Sequence, residues 1–403
     1  ENFITRFAKY YTPVVTIGAV ILAILPPLIL GGGWAEWIQR ACIFLVISCP
    51  CALVISVPLG FFGGIGAASK IGVLVKGSNY LEAVAEMTTI VFDKTGTLTK
   101  AKPTVAEVVS FNGMSEDELL RIAACLEEHF PHSMAKAVVS AAKTKHLDHE
   151  EMHSKVEYIV AHGISTQIEG KKAVIGSYHF VFEDEKVVIP EGMEEKFENL
   201  PEEYSHLYMA IEGKLAAVIC IEDPLREEAV EVIRELRKAG LSKIVMMTGD
   251  SERTAAAIAK RVGVDEYYSE VLPEDKASFV EKEKELGHKV IMIGDGINDS
   301  LALSSASVGI AISDGAAIAR EIADVTISAD NLHEIVTLKR LSTALMKRIH
   351  NNYRTIIGIN GGLIALGVTG IIMPTTSALL HNMSTLTISL RSMRNLLPKE
   401  EEA

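Results

Sequence analysis

Apolar residues along this chain fall into three long uncharged stretches around a mixed middle. Pro13 to Gly33 runs 21 residues without a charge, and Ala41 to Ser69 runs 29. Thr355 to Leu390 runs 36 with His381 as its one ionisable group. A membrane helix needs about 20 apolar residues, so the first two stretches predict one span each. The third predicts two shorter spans, with a turn over Gly370–Thr376. Three such runs exceed what the core of a soluble protein usually contains. The first is too long for a signal peptide and is followed at once by the second.

Basic residues orient the predicted spans. Arg6 and Lys9 precede the first, Lys70 and Lys76 follow the second, Lys347, Arg348 and Arg354 precede the third, and Arg391, Arg394 and Lys399 follow the fourth. The positive-inside tendency then places both ends and the whole middle on the cytoplasmic side of an inner or plasma membrane. The expected organisation is a hairpin over 1–70, a soluble part over 71–335, a second hairpin over 336–398 and an acidic tail over 399–403.

In the soluble part, periodicity changes to short apolar strands that end in Gly or Asp. Thr88-Thr-Ile-Val-Phe-Asp93, Lys243-Ile-Val-Met-Met-Thr-Gly-Asp250 and Lys289-Val-Ile-Met-Ile-Gly-Asp-Gly296 share that shape. Helical patterns occupy Arg226 to Ala239 and Glu252 to Val262. Alternation of this kind predicts a parallel doubly wound α/β sheet, with ligands beyond the carboxyl ends of its strands. The sheet domain is expected to be discontinuous, over 71–103 and 216–335. The intervening 104–215 is expected to be an inserted α+β lobe, with a helix over Glu116 to Lys145 and strands near Val156–Val160, Ser165–Ile175 and Tyr208–Ile221.

Charge narrows the function. There are 39 Lys and Arg against 52 Asp and Glu, a net of −13, which disfavours a nucleic-acid partner. Five cysteines, scattered at Cys42, Cys49, Cys51, Cys125 and Cys220, predict reduced thiols rather than a disulfide framework.

The chemistry lies in the Asp-bearing turns. Asp93, at a strand end in Asp93-Lys-Thr-Gly-Thr-Leu-Thr99, can attack phosphorus to give an aspartyl-phosphate. Thr248-Gly-Asp250 offers a hydroxyl and backbone N–H groups to a phosphoryl oxygen, and Lys276 offers a fixed positive charge. Asp295 and Asp299, in Gly294-Asp-Gly-Ile-Asn-Asp299, are hard oxygen ligands suited to Mg²⁺. Nucleophile, cation and metal site together suit phosphoryl transfer.

These motifs together resemble the P-type ATPases, whose phosphorylation domain is similar to haloacid dehalogenase folds. Ser48-Cys-Pro-Cys51 narrows the resemblance to the heavy-metal-transporting members. The resemblance implies ATP-driven metal transport, mostly export, with Asp93 phosphorylated by ATP. It implies catalytic roles for Asp93, Lys94, Thr95, Thr248, Gly249, Asp250, Lys276, Asp295, Asn298 and Asp299, with Mg²⁺ on Asp93, the Thr95 carbonyl and Asp295. Asp223 and Arg226 match a further family motif in the hinge region. In the inserted lobe it implies nucleotide contacts at Glu127, His132, Gly163 and Gly176. The chain departs from that lobe's pattern at Ser133, Ala161 and Ser177, which stand where Pro, Gly and Asn are usual.

For the transported ion, Pro50 breaks a span and frees carbonyls, and Cys49 and Cys51 flank it as soft ligands. Cys42 is read as packing. His381 and Asn360 join the ion-site set, and Ser384 and Thr385 are either ion neighbours or interhelical hydrogen-bonding groups. Zn²⁺ and Cd²⁺ exporters of the family carry a Lys and an Asp in the last two spans, whereas copper exporters carry an Asn and a Met. Asn360 and His381 fit neither set. The missing Lys and Asp argue against the standard Zn²⁺/Cd²⁺ subgroup. Imidazole with two thiolates nonetheless suits a borderline divalent ion, so Zn²⁺ or Cd²⁺ is expected first and Cu⁺ second, with Mn²⁺ and Co²⁺ left open.

The family's actuator domain, with its Thr-Gly-Glu loop, normally precedes the first span. No Thr-Gly-Glu occurs in the 403 residues, and Glu1 stands at the start. The expectation is a truncated carboxyl-terminal portion that forms a stable phosphoenzyme but needs the amino-terminal region for turnover. Two alternatives remain: a membrane-anchored phosphatase, whose class usually places a second Asp where Thr95 stands, and a silent metal-binding membrane protein.

Overall fold

The structure, a computed structural model, describes residues 2–396 apart from 31–32, 101, 129–132, 148–156, 160–162, 169, 203, 296, 313–316 and 329–330. The chain divides into two compact units, Glu1–Glu86 with Thr337–Ala403, and Met87–Val336.

The first unit is helical. Helices Asn2–Leu30, Trp34–Ile47 and Cys51–Lys70 lead to the short helix Ser78–Glu86, and the unit resumes within His333–Val368 and closes with Pro374–Ser392. Lys9–Leu30 and the interrupted Trp34–Lys70 are long and apolar enough to cross a membrane. On the first of these Ile17, Ile21, Leu28 and Leu30 are all exposed. Close helix packing depends on small residues here. A Cβ on Gly64 would sit 2.7 Å from Leu345 Cδ2, so a larger residue there would make the Leu345 side chain shift. The expected turn over Gly370–Thr376 is shorter than predicted. Gly370 takes φ +79°, and Pro374, with its preset φ, already opens the last helix.

In the second unit, parallel strands lie in the order Val325–Ile327, Val308–Ile312, Val290–Gly294, Thr89–Asp93, Lys243–Met247, Glu266–Tyr268. Thr89–Asp93 is buried along its whole length, as the apolar run Ile90-Val91-Phe92 requires of a central strand covered on both faces. After Thr89–Asp93 the chain builds one flank with 243–247 and 266–268, and then crosses to build the other from 290 onward. The strand order therefore reverses beside Asp93, where ligands of such sheets bind.

The inserted lobe is a six-stranded antiparallel sheet, ordered Thr104–Ser110, Lys214–Glu222, Ser205–Ile211, Lys171–Gly176, Gly163–Ile168, Glu157–Ile159 among the described residues. Residue 216, where the sheet domain was expected to resume, falls inside one of these strands. Period-2 alternation sends Leu207 and Met209 to a core with Leu119, Leu120 and Val138, and Tyr208 and Ala210 to a second core with Phe111 and Phe180. The single helix predicted over Glu116 to Lys145 is two, Glu116–Glu127 and Ser133–Thr144. Pro131, in the intervening sequence, lacks the N–H that a continuous helix would need.

Candidate functional site

The carboxyl ends of three adjacent strands bring the sequence motifs together. Asp93 ends the central strand, Thr248-Gly-Asp250 follows one neighbour, and Asp295 follows the other. Lys276 comes from helix Pro273–Glu285. Its Nζ donates to Asp93 Oδ1 at 2.7 Å and to Asp299 Oδ1 at 2.8 Å. Asp93 is 7% exposed, Lys276 6% and Asp299 1%. Carboxylate oxygens of Asp93, Asp295 and Asp299 lie within 4.8 Å of one another.

Two buried carboxylates and the half-buried Asp295, all near one ammonium, repel one another. Burial, then Asp299, push Asp93 up to about 7 against the pull of Lys276. Burial, then Asp299, lift Asp295 to about 6. Burial works against the Lys276 charge, but Asp93 and Asp299 outweigh it and hold its pKa above the usual range. A compact set of hard oxygens carrying excess negative charge fits a small divalent cation such as Mg²⁺. Asp299 thus joins a set that the family resemblance gave as Asp93, the Thr95 carbonyl and Asp295.

Glycine chemistry shapes the loop after the nucleophile. Gly96 takes φ +75°, and a Cβ there would lie 1.7 Å from Asp295 Oδ2. The loop is pinned from outside. Arg226 Nε donates to the Thr97 carbonyl at 2.9 Å, Thr99 Oγ1 donates to Asp223 Oδ2 at 2.6 Å, and the Gly96 N–H donates to Thr99 Oγ1 at 3.0 Å.

A second charge pair sits beside the first. Lys94 Nζ lies 2.5 Å from Asp250 Oδ2, which also accepts from Thr248 Oγ1 at 2.5 Å. Asp250 Oδ1 accepts from Ser205 Oγ at 2.7 Å. Burial pushes Asp250 up, but Lys94 and the hydrogen bonds prevail and hold it below the usual range. The Thr248 hydroxyl, expected to meet a phosphoryl oxygen, is engaged by Asp250 here. Gly249 and Asn298 are exposed at the rim. Ser205 was missed by sequence reading, because a serine opening a strand some 45 residues before Asp250 gives no signal of proximity.

In the lobe, Glu127 is buried at the end of its helix. Gly163 and Gly176 pair directly across two strands. Gly163 has a packing reason, since a Cβ would lie 2.2 Å from the Phe180 ring. His132 lies outside the described residues. Burial raises Glu127 from 4.5 to about 7. Between those values the folded lobe binds the proton and the unfolded chain releases it. Its contribution to stability is therefore full below pH 4.5 and lost as pH rises through 7. Glu127→Gln should remove a pH-dependent loss of roughly 2–3 kcal/mol, read by urea unfolding at pH 5 and pH 8. Equal pH slopes in the two proteins would refute it.

In the helical unit, the chain leaves helical geometry at Ser48–Pro50 and restarts at Cys51. The Ser48 carbonyl freed by this break accepts from Tyr11 Oη at 2.6 Å, a partner that sequence reading missed. The reduced-thiol expectation is corrected at one pair. Cys49 and Cys51 are joined as a disulfide, because the turn at Pro50 brings their Cα atoms to 5.3 Å. The same closeness is what a two-thiolate chelate requires, so ligation needs the pair reduced. His381, 3% exposed, has Nδ1 at 3.2 Å from Asn360 Oδ1, and its buried Nε2 has no partner among the described residues. Ser384 and Thr385 donate to the His381 carbonyl of their own helix, at 2.8 and 3.0 Å, and not across helices.

Comparison with known proteins places these features. Residues 87–307 match the model of the haloacid dehalogenase-like hydrolases. The chain is 42% identical over 378 residues to a cadmium, zinc and cobalt-transporting ATPase of Bacillus subtilis, covering 92% of this chain and 52% of that protein. It is 38% identical to a zinc-transporting ATPase of Synechocystis, over 92% of this chain and 50% of that protein. A crystal structure of a zinc-transporting PIB-type ATPase in its E2.Pi state matches with a TM-score of 0.76 and 33% identity, over 98% of this chain and 64% of that one. The catalytic domain of a CPx-ATPase, studied for conformational changes on nucleotide binding, matches with a TM-score of 0.53 and 29% identity, over 67% of this chain and 95% of that one. The chain spans about half the length of the curated relatives it matches.

Proposed function

The chain belongs to the haloacid dehalogenase-like hydrolases, its relatives along nearly its whole length are metal-transporting P-type ATPases, and from that premise we propose that it couples phosphorylation of Asp93 by ATP to transport of a heavy-metal cation. Zn²⁺ and Cd²⁺ are the favoured cargo, and export is the favoured direction. The lobe over 104–222 binds the nucleotide, the 87–103 and 223–336 segments perform the chemistry on the cytoplasmic side, and 1–86 with 337–398 form a multi-pass unit of four spans in the cell membrane.

The observation that carries this reading is the convergence of Asp93, Lys276, Asp295 and Asp299 at one end of the sheet. Lys276 holds Asp93 Oδ1 and so orients Oδ2 as the attacking oxygen. The bond from Oδ2 to the γ-phosphorus forms as the bond from phosphorus to the β–γ bridging oxygen breaks, and ADP leaves with that oxygen. Asp93, Asp295 and Asp299 would hold Mg²⁺, which when bound neutralises phosphoryl charge. Lys94 adds positive charge next to the nucleophile, kept in place by Asp250. Thr95 stands where the phosphatase class carries its second acid, which favours a lasting phosphoenzyme over hydrolysis.

For the cargo, reduced Cys49 and Cys51 supply two soft donors; His381 adds a borderline donor elsewhere in the helical unit, and no cluster of it with the two cysteines occurs among the described residues. The cation names carried by the relatives support Zn²⁺ and Cd²⁺ over Cu⁺. The test is transfer of label from γ-³²P-ATP to Asp93 with Mg²⁺ and a reductant, across Zn²⁺, Cd²⁺, Co²⁺ and Cu⁺. Zn²⁺ and Cd²⁺ should each raise the labelled fraction at least ~5-fold, the size of a modest coupling between two sites. Stimulation by Cu⁺ alone would overturn the cargo assignment.

A further inference from the structure

Ser205 opens a strand of the inserted lobe, yet its hydroxyl reaches a carboxylate of the phosphorylation motifs. It is 9% exposed, and its Oγ donates to Asp250 Oδ1 at 2.7 Å. The other oxygen of Asp250 holds Lys94 and Thr248. Lys94 directly follows Asp93, so a shift of the Asp250 carboxylate is passed to the residue adjoining the nucleophile through one ion pair.

Neighbouring contacts fasten the same edge of the lobe to the first turn of helix Glu252–Val262. Thr254 Oγ1 donates to the Tyr204 carbonyl at 3.0 Å, and Arg253 Nη2 donates to the Glu198 carbonyl at 3.0 Å. Arg253 Nε donates to Glu202 Oε1 at 3.0 Å. These contacts hold backbone and rim groups. Ser205, by contrast, reaches the Asp250 carboxylate itself through its side chain.

We propose that Ser205 is a positioning residue for phosphoryl transfer from nucleotide: it ties the inserted lobe to Asp250 and so sets the Lys94–Asp250 pair beside Asp93 in register with the lobe. This rests on the reading of Asp93 as phosphoryl acceptor. A nucleotide carried by the lobe must arrive at Asp93 with the lobe correctly seated, whereas inorganic phosphate reaches Asp93 from solvent without the lobe. Loss of the tie therefore weighs on one phosphoryl donor more than on the other. A serine that merely satisfied a buried carboxylate would affect both alike.

The experiment measures rates of acyl-phosphate formation on the full chain from ATP and from inorganic phosphate, for the unaltered chain, Ser205→Ala and Ser205→Thr. Misplacement of about 1 Å near a reacting centre changes rates by up to ~100-fold, so the ratio of ATP-derived to phosphate-derived rate should fall about tenfold in Ser205→Ala. Ser205→Thr keeps the hydroxyl on a residue that strands favour, and should restore most of that ratio. An unchanged ratio in Ser205→Ala, or Ser205→Thr as impaired as Ser205→Ala, overturns the proposal while leaving Asp93 as acceptor. No adduct on the unaltered chain from either donor removes both.

Discussion

Asp93→Asn should abolish the hydroxylamine-sensitive adduct from γ-labelled ATP, by at least ~10⁴-fold and so below detection, as expected when a nucleophile is removed from a set that acts as a unit. The amide keeps the size of the carboxylate and an oxygen that can accept from Lys276, whose Nζ lies 2.7 Å from Asp93 Oδ1. The site should therefore stay assembled. The substitution also removes one of three mutually repelling carboxylates, one of which burial and Asp299 have already raised to about 7. Thermal stability should thus be equal or higher while chemistry is lost. The same variant separates the readings of the chain: a pump or a phosphatase dies, whereas a passive binder keeps its metal and loses nothing. Label retained on Asp93→Asn would place the acceptor elsewhere and remove the proposed mechanism.

Lys276→Met should be the second most damaging change, through a different physical route. Its ammonium is shared by Asp93 at 2.7 Å and Asp299 at 2.8 Å, and both carboxylates are buried. Methionine matches the stem but leaves Asp93, Asp295 and Asp299 to repel one another without that cation. Breaking a buried pair by deleting one partner typically destabilises by about 3–5 kcal/mol, so the melting temperature should drop. The rate of label transfer should fall by ~10³-fold, the upper range for losing one preorganised electrostatic partner. Raised Mg²⁺ should recover part of the stability, because a divalent cation replaces missing positive charge among the same oxygens, but not the rate, because it does not restore the contact to Asp93 Oδ1. A variant that melts normally and labels at the original rate would show that Lys276 is not part of the site.

The parallel sheet and its catalytic turns were legible because they are local in sequence. A buried apolar run ending in Asp reads as a strand whatever surrounds it, and three such runs, with Gly96 at positive φ after the first, announce strand-end chemistry. The lobe was less legible. Its strands alternate cleanly, but one predicted helix proved to be two, Glu116–Glu127 and Ser133–Thr144, because helical periodicity alone does not mark where a helix ends. In the helical unit, Pro50 announced a broken helix, but nothing in the sequence pointed to Tyr11 as the donor to the freed Ser48 carbonyl. Nor did hydroxyl-bearing residues reveal their partners. Ser384 and Thr385 fold back on their own helix because the carbonyl of His381, three and four residues earlier, is within reach of any short hydroxyl in a helix.

Sequence alone determined the first two apolar helices, the strand-end aspartates, Lys276 and the Cys-Pro-Cys break, because each depends on residue type and on neighbours a few positions away. Tertiary structure alone decided that Lys276 bridges Asp93 and Asp299, that Asp93, Asp295 and Asp299 converge within 4.8 Å, and that Ser205 meets Asp250. Those contacts join residues 183, 23 and 45 positions apart. Their geometry depends on how strands stack and where a lobe is inserted, and hydrophobic periodicity carries no information about that.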